Sequence, residues 1–470
     1  MSVRLIFEKN TYLNDVQEIP RAFVPYLDLN DEGENYLSWT HDINGKTFTF
    51  TVDSDLFGRA VFRRDFIEKE DLIFKKSTKY FAKNALYSFL SEALNVRLPY
   101  GSLTGVRPTR MYRELAKTEP DPKKTLLNVF SVMESKADLI ERCATYQERY
   151  INKDPASVGL YINIPFCPTR CSYCSFISTE VFRVKKELPA FVSSVQKDIE
   201  VLFGIIEKKG YNVRSIYVGG GTPTSIGAEY LGQILAPLKD IGCEFTVECG
   251  RPDTIDEKMV EMLKSRNVTR VSVNPQTFHQ RTLDLIGRKH SVEDVFSAYE
   301  TVKKGGFDVN LDLIAALPGE TFDDFKYSLD KTLSLRPEDV TVHTLSIKRG
   351  SELNREKTLK KSTGEALSMT EYAYTRLTES GYAPYYMYRQ KNTADNLENT
   401  GFCRDDKVCR YNVDTMEESS TILSAGAGSV SKLLGEGGKI TRFSHPKGFR
   451  EYIERTEDTE EKLKEFFGID

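Results

Sequence analysis

Three cysteines fall within one short segment, Cys167-Pro-Thr-Arg-Cys171-Ser-Tyr-Cys174. They follow directly on the apolar run 160–166, which has the composition of a buried strand. Three thiolates so close together at the end of a strand can ligate three irons of a 4Fe-4S cube and leave the fourth iron open for another ligand. An open iron indicates a catalytic cluster rather than an electron carrier. The alternative is three incidental thiols, but the chain has eight cysteines in all and three lie here.

Glycines and polar residues follow the strands that come after the cysteines. The segment Gly219-Gly-Gly-Thr-Pro-Thr224 bares its backbone, so that N–H and C=O groups can approach a ligand closely at a helix entry. A glycine triplet alone is more often a tight turn. Later strands end at or near side chains that could meet an ammonium, a hydroxyl or a carboxylate of a ligand. These side chains are Glu248, Gln276, Arg288 and Asp312.

The elements that must position these residues alternate regularly through the middle of the chain. Strands are predicted at 158–164, 215–218, 244–248, 269–273, 308–314 and 340–345, and helices at about 185–209, 227–240, 255–265 and 321–333. Six such repeats require a parallel sheet with helices outside it, and right-handed crossovers curl that sheet toward a barrel. Chemistry in such barrels lies at the carboxyl ends of the strands. We therefore predict an α/β fold with a partial, TIM-like (β/α)6 barrel, and the candidate residues fall at its chemical end.

The segments before and after this core differ from it in their pattern of predicted strands and helices. Residues 1–155 mix short strands with a long helix near 66–96, which predicts an α+β accessory domain at the N-terminus. The core is predicted to span residues 156–350. Residues 351–470 are irregular and include a tyrosine-rich strand at 385–388, and we expect a smaller capping domain there.

Composition excludes several classes of protein. A net charge of -4 without a basic tail argues against nucleic acid as a partner. No stretch approaches the ~18 apolar residues of a membrane span, and the N-terminus lacks a signal-peptide pattern. We expect a cytoplasmic protein with reduced cysteines. Cys403 and Cys409, with five residues between them, could ligate a second metal, although two thiols alone are weak support.

The Cys-x3-Cys-x2-Cys spacing and the Gly-Gly-Gly-Thr-Pro segment resemble those of the radical S-adenosylmethionine (SAM) enzymes. In these enzymes the unique iron chelates the amino and carboxylate groups of SAM, and the reduced cluster cleaves SAM to a 5'-deoxyadenosyl radical. The resemblance implies a 4Fe-4S cluster on Cys167, Cys171 and Cys174, with SAM as the second cofactor. It also implies an electron donor such as a flavodoxin or a ferredoxin. Tyr173 has the position of the aromatic residue that packs on adenine, and the alternative is a tyrosine lining the barrel.

Longer segments are similar to the oxygen-independent coproporphyrinogen III oxidase (dehydrogenase) family. They are Tyr161-Ile-Asn-Ile-Pro-Phe-Cys, Val273-Asn-Pro-Gln-Thr, Asn310-Leu-Asp-Leu-Ile-Ala-Ala-Leu-Pro-Gly and Gly426-Ala-Gly-Ser. The segments 103–109, 248–254 and 385–399 resemble the HemZ-type branch, and together the match covers nearly the whole chain. The resemblance implies that the SAM residues are Tyr161, Gly220, Gly221, Thr222, Glu248, Gln276, Arg288 and Asp312.

The implied reaction is an oxidative decarboxylation of propionate side chains to vinyl groups in anaerobic heme and porphyrin biosynthesis. Coproporphyrinogen carries four carboxylates, so its site needs cations and hydroxyl donors. Our candidates follow the sixth strand or lie on the capping segment. They are Lys348, Arg349, Tyr385, Tyr386, Tyr388, Arg389 and Lys391. The alternative for them is an ordinary domain contact with exposed charges.

Two departures from the family leave other functions open. The founding branch of the family, the coproporphyrinogen oxidases themselves, has a fourth cysteine at this position. Here it is replaced by Phe176, as it is in the heme-chaperone branch. The chaperone's His-Asn-x-x-Tyr-Trp segment is also missing, and the single tryptophan, Trp39, lies in the N-terminal region. The alternatives are a heme-binding chaperone that turns over no porphyrinogen and a heme-modifying radical SAM protein that transfers methyl groups or opens the ring. The tetrapyrrole that the protein takes is therefore either coproporphyrinogen III or heme.

Overall fold

The computed structural model describes residues 2–9, 11–24, 26–67, 70–176, 178–347, 351, 364–390 and 393–469. Two compact units divide them. The first contains residues up to Ala144 together with 364–367 and Arg389–Glu398, and the second contains the other described residues from Thr145 onward. The candidates Lys348, Arg349 and Lys391 lie outside the described residues. No described helix is long and apolar enough to cross a membrane.

The first unit pairs a five-stranded sheet with a long helix. Its strands are β1 (Ser2–Ile6), β2 (Asp28–Leu29), β3 (Asn35–Asn44), β4 (Thr47–Ser54) and β5 (Gly58–Asp65), and its helices are α1 (Glu18–Ala22), α2 (Asp71–Leu94), α3 (Pro108–Ala116), α4 (Pro122–Asn128) and α5 (Glu134–Gln147). The strand order is β2-β1-β3-β4-β5. Alternate residues of β4, such as Phe48 and Phe50, are fully buried and pack in one cluster with Leu86 and Leu90 of α2. The period of two in the strand and the apolar stripe of the helix therefore form one core.

The second unit contains an eleven-stranded sheet and a small two-stranded one. Its strands are β6 (Ser157–Ile164), β7 (Phe166–Cys167), β8 (Thr179–Glu180), β9 (Asn212–Gly220), β10 (Glu244–Glu248), β11 (Arg270–Ser272), β12 (Asp308–Ala315), β13 (Asp339–Thr344), β14 (Ala383–Arg389), β15 (Glu398–Cys403), β16 (Ile422–Ala425), β17 (Val430–Leu434) and β18 (Ile440–Ser444). The helices are α6 (Leu188–Lys209), α7 (Ala228–Leu235), α8 (Glu257–Ser265), α9 (Gln280–Leu285), α10 (Val292–Gly305), α11 (Phe322–Leu335), α12 (Glu365–Glu379), α13 (Arg410–Glu417), α14 (Phe449–Glu454) and α15 (Thr456–Phe466).

Six parallel strands lie side by side in chain order, from β6 through β9, β10, β11 and β12 to β13. Helices connect them, as the repeat of strands and helices predicts, so the mixed α/β fold is confirmed. Val158, Leu160 and Ile162 of β6 are buried in one cluster with Phe191 and Val195 of α6. Because successive side chains of a strand point to opposite faces, the residues between them face the other side of the sheet. The polar side chains of the site lie on that inner face.

The C-terminal residues join the core sheet instead of forming a separate cap. β15 pairs antiparallel with β13, and β14 follows β15 in the strand order. At the opposite end β16 pairs parallel with β6 and leads to the antiparallel strands β17 and β18. This arrangement differs from the capping domain expected for residues 351–470. Its physical reason is that β6 and β13 would otherwise leave unpaired backbone groups at the two edges of a six-stranded sheet.

Candidate functional site

The cysteine loop begins at the carboxyl end of β6. Cys167 lies in β7 and is paired with Glu180 of β8, and the amide of Cys174 donates to the carbonyl of Cys171 at 3.1 Å. The amide of Ser172 donates to the carbonyl of Ile286 at 3.0 Å, which fastens the loop to the turn after α9. All three cysteines are free and half-buried. The thiols that the sequence analysis selected therefore share one loop held at both ends.

The charges of the three thiols interact, although burial opposes their ionisation. Burial raises the pKa of Cys167 and raises that of Cys174 to about 11, and the charge of Cys171 raises both, so the three groups sense one another. Iron binding would displace these protons. Among the described residues no three or more His, Cys, Asp or Glu side chains converge on a single metal ion. A 4Fe-4S cube takes one thiolate per iron, so its ligands need not converge on one metal ion.

The glycine turn after β9 packs against the start of the cysteine loop. The amides of Gly221 and Thr222 donate to the carbonyls of Ile164 and Phe166 at 2.9 and 2.7 Å. A Cβ on Gly221 would lie 2.9 Å from the sulfur of Cys167 and 2.5 Å from the carbonyl oxygen of Phe166. The hydroxyl of Thr222 donates to the same sulfur at 3.7 Å. Only glycine therefore lets this turn approach the cysteine so closely.

Two carboxylates lie on the inner face of the core sheet. Glu248 accepts a 2.6 Å hydrogen bond from Tyr217, and burial, together with the charge of Asp312, raises its pKa to about 7. Asp312 accepts a 2.7 Å hydrogen bond from the side chain of Asn310 through Oδ1. Its Oδ2 lies 3.6 Å from Nε2 of His343. These groups therefore form one connected polar cluster.

His343 is a site residue that the sequence analysis missed. It lies on β13 two residues after Thr341, so the period of two along a predicted strand was the signal that could have found it. Burial lowers the pKa of its imidazole, but the hydrogen bond to Asp312 and the charge of that carboxylate outweigh burial and raise it. The raised pKa favours the protonated imidazole, whose charge would partly offset that of Asp312.

Three tyrosine rings stack on the same inner face. The ring of Tyr411 lies 5.8 Å from that of Tyr161 and 4.5 Å from that of Tyr217, at interplanar angles of 16° and 20°. Tyr411 comes from the first turn of α13, where the amides of residues 410 and 411 donate to the carboxylate of Glu244 at 3.0 and 3.3 Å. The hydroxyl of Tyr161 donates to Asn163 at 2.8 Å. Tyr161 therefore contributes to an aromatic stack inside the barrel, which sequence reasoning did not foresee.

Arg288 joins the loops at the carboxyl ends of three strands. One terminal nitrogen donates to the carbonyls of Gly250 and Asn274, both at 2.6 Å, and the other donates to the hydroxyl of Tyr173 at 3.3 Å. The ring of Tyr173 packs beside an apolar cluster that contains Ile286 and Leu345. Tyr173 thus forms part of the wall beside the cysteine loop.

Gln276 and Arg288 each have a buried polar atom without a hydrogen-bond partner. Gln276 has a left-handed backbone with φ of 67°, and its amide donates to the carbonyl of Asp312 at 2.9 Å. Its side-chain oxygen is buried without a hydrogen-bond partner, as is Nε of Arg288. Buried polar groups are normally paired, and strained non-glycine residues gather at functional sites. An acceptor and a donor without partners suit the charged end of an amino acid such as the methionine part of SAM.

The substrate candidates are only partly described. Arg389 belongs to the first unit, where its guanidinium stacks on Tyr100 at 4.1 Å and donates to the carbonyls of Leu103 and Asn396. Because these contacts already engage the guanidinium, they argue against the predicted pairing of Arg389 with a propionate. Tyr385 in the second unit donates to Asp339 at 2.7 Å, Tyr386 lies beside Thr341, and Tyr388 is half-buried.

The second metal site proposed for Cys403 and Cys409 has no support among the described residues. Both cysteines are buried, and burial raises both pKa values, that of Cys403 to about 12. The sulfur of Cys403 lies 3.7 Å from the hydroxyl of Tyr146, and that of Cys409 lies 3.9 Å from the hydroxyl of Thr246. Their surroundings are those of packed, protonated thiols.

Comparison with known proteins agrees with this geometry. Residues 161–332 match the radical SAM superfamily. The chain is 37% identical over 442 residues to the oxygen-independent coproporphyrinogen-III oxidase-like protein HemZ of Bacillus subtilis, covering 88% of this chain and 87% of that protein. It is 34% identical over 196 residues to the heme chaperone HemW of the same organism, covering 40% and 50%. The solved structure of the coproporphyrinogen III oxidase HemN from Escherichia coli shares the fold, with a TM-score of 0.54, 20% identity and coverage of 67% and 73%.

Proposed function

Because the chain belongs to the radical SAM superfamily and, within it, to the family of oxygen-independent coproporphyrinogen-III oxidase-like proteins of the HemZ type, we propose that it oxidatively decarboxylates coproporphyrinogen III. The products are vinyl groups in place of propionates, formed without oxygen. Membership of the family implies a 4Fe-4S cluster, SAM and an electron donor. The observation that supports the proposal is the close approach of the Gly221 turn to Cys167, where a Cβ on Gly221 would lie 2.9 Å from the sulfur, because it brings a bare backbone turn against a cluster ligand.

Residues of this chain suit the roles that the two cofactors require. Cys167, Cys171 and Cys174 would hold the cluster. Glu248 and the unpartnered side-chain oxygen of Gln276 would accept from the amino group of SAM, and the unpartnered Nε of Arg288 would donate to its carboxylate. When bound, the cofactors supply a hydrogen-abstracting carbon radical, which no side chain can provide.

The protein's task is to position the substrate and exclude water. The stacked rings of Tyr161, Tyr217 and Tyr411 fill the barrel interior next to Glu248, so water is displaced from that side of the carboxylate. Asp312, held between Asn310 and His343, would accept from the ribose hydroxyls of SAM. Two fixed partners keep its carboxylate in one orientation, which favours a single pose of the reacting carbon.

The substrate must bring its propionate carbon to that point. Each propionate loses one hydrogen atom, one electron and carbon dioxide, and the electron passes to an acceptor supplied from outside the chain. The carboxylates need cationic partners, and Lys348, Arg349 and Lys391, with the hydroxyl of Tyr388, remain our candidates for them.

Heme carriage is a second candidate function, and Phe176 favours it. This phenylalanine replaces the fourth cysteine of the founding branch, and 68% of its side chain is exposed beside the cysteine loop. An exposed aromatic ring offers an apolar face on which a flat macrocycle can pack. The partial similarity to the heme chaperone HemW agrees with such a role.

One experiment separates the two functions. Anaerobically reconstituted protein is reduced and then incubated with SAM, coproporphyrinogen III and an added electron acceptor, and carbon dioxide and vinyl products are quantified by chromatography and mass spectrometry. The matched control is Cys171→Ala, which should form neither. Stoichiometric product supports the dehydrogenase. SAM cleavage without any vinyl product would contradict it, and saturable binding of heme in the same preparation would then support carriage.

A further inference from the structure

Arg251 is a buried cation whose role is not accounted for by the proposed SAM site. It lies in the segment Glu248-Cys-Gly-Arg-Pro-Asp-Thr254, three residues after the end of β10 and directly before the 3-10 turn Pro252–Thr254. Only 3% of its side chain is exposed. A buried guanidinium is permanently charged and requires specific partners.

Its partners connect the end of β10 to the cysteine loop. Nε and one terminal nitrogen donate to the two carboxylate oxygens of Asp253 at 2.9 and 3.0 Å. The other terminal nitrogen donates to the hydroxyl of Thr169 at 2.8 Å. Thr169 lies between Cys167 and Cys171, and its hydroxyl donates in turn to the carbonyl of Gly287 at 3.3 Å. Through Thr169, the guanidinium therefore contacts the part of the loop between two of the thiols that would hold the cluster.

The Arg251–Asp253 ion pair presents its positive charge to the cysteine loop. The carboxylate of Asp253 is 30% exposed, so water screens it better than it screens the buried guanidinium. The neighbouring His290 adds no charge, because burial, with Arg288 and Arg251, lowers its pKa to about 3.

We propose that Arg251 is a positioning residue that holds the cysteine loop through Thr169 and raises the reduction potential of the bound cluster. The inference rests on the proposed function, since it requires the cluster to be present. Reduction moves one electron from the donor to the cluster, and no covalent bond forms or breaks. A buried positive charge stabilises the added negative charge, so a donor of moderate potential can deliver that electron.

The test is an anaerobic redox titration of the reconstituted full chain, followed by electron paramagnetic resonance without any tetrapyrrole. Arg251→Gln should lower the equilibrium constant for electron uptake about tenfold, which corresponds to about 59 mV for a one-electron couple. Arg251→Lys keeps the charge and should stay close to the unmodified protein. Asp253→Asn removes the counter-charge and should shift the potential in the opposite direction. The matched control is Arg455→Gln, which breaks an exposed pair with Glu451.

Opposite shifts for Arg251→Gln and Asp253→Asn support the proposal. Equal potentials in the unmodified protein and Arg251→Gln, with full iron content in both, would overturn it. Where Arg251→Gln fails to hold iron, Asp253→Asn decides, and an unchanged or lowered potential in that variant contradicts the inference. An unmodified protein that holds no cluster would overturn the proposed function as well, whereas a full cluster with unchanged potentials would overturn only this inference.

Discussion

The hydroxyl of Tyr217 donates a 2.6 Å hydrogen bond to the carboxylate of Glu248, from one strand of the core sheet to the next. Burial raises the pKa of Glu248 to about 7, and this hydrogen bond acts in the opposite direction because it stabilises the ionised form. Tyr217 therefore helps to keep Glu248 negatively charged at neutral pH. A ligand with an ammonium group needs that charge.

SAM affinity should depend on pH through Glu248. Affinity should rise as pH increases through about 7, because the ionised carboxylate is the better acceptor for the amino group of SAM. Glu248→Gln should weaken binding by about 1 to 3 kcal/mol at pH 8 and remove the pH dependence. Tyr217→Phe should move the midpoint to higher pH. Calorimetry across pH 6 to 9 measures all three, and an unchanged affinity in Glu248→Gln would show that the SAM site is elsewhere.

The cluster should depend on three cysteines. Reconstituted protein should hold about four irons per chain, and Ala at Cys167, Cys171 or Cys174 should each remove the brown chromophore. Cys243→Ala is the matched control, since Cys243 is also free and half-buried but lies before β10. Iron analysis and visible absorption are the measurements. A full cluster in all three single variants would rule out this ligand set.

The pKa of His343 should depend on the neighbouring carboxylate of Asp312. Asp312→Asn should weaken SAM binding by about 1 to 3 kcal/mol while the cluster stays intact. The same change should lower the pKa of His343, because the hydrogen bond and charge of Asp312 raise it. Nuclear magnetic resonance of the imidazole protons gives that pKa directly. An unshifted His343 would mean that the two side chains do not interact in solution.

Arg389 and Lys391 should behave differently when neutralised. Arg389→Gln should destabilise the protein by about 1 to 3 kcal/mol, since it removes the donor of two partly buried carbonyls and the cation from the ring of Tyr100. Lys391→Gln should lower tetrapyrrole turnover while leaving stability and uncoupled SAM cleavage unchanged. Urea unfolding and the two activity assays measure these effects. Lost turnover in a fully stable Arg389→Gln protein would restore this arginine as a propionate partner.

A buried ion pair in the first unit should make stability fall in acid. Glu398 accepts from Lys136 at 2.7 Å and from Tyr100 at 2.8 Å, and although burial opposes it, Lys136 lowers the pKa of Glu398. The pair therefore stabilises the fold above the unfolded pKa of about 4.3, and this contribution is lost as pH falls through the lower folded value. Glu398→Gln should cost about 3 to 5 kcal/mol at pH 7. Tyr100→Phe, which keeps both charges, should cost about 1 kcal/mol. Unfolding curves at pH 7 and pH 4 compare them, and equal losses for the two variants would contradict the assignment.

The sequence by itself predicted the features that depend on residues close together along the chain. The cysteine spacing lies within one loop, and the period of two in strands such as β6 separates helix-facing from inward-facing residues. The predicted helix at 255–265 differs from α8 by two residues at its start. Each of these follows from neighbours along the chain, because strand pleat, helix repeat and thiol spacing are local properties.

Only the tertiary structure decided which distant residues meet. Arg389 reads as an exposed cation on a tyrosine-rich strand, yet its guanidinium reaches the carbonyl of Leu103, 286 residues away in sequence. Tyr411 enters the aromatic stack from a helix beyond the sixth parallel strand, and His343 becomes important through Asp312 on the neighbouring strand. These pairings depend on strand order and on which backbone and charged groups remain unsatisfied after the sheet forms. The periodicity of neighbouring residues contains no information about strand order or about those unsatisfied groups.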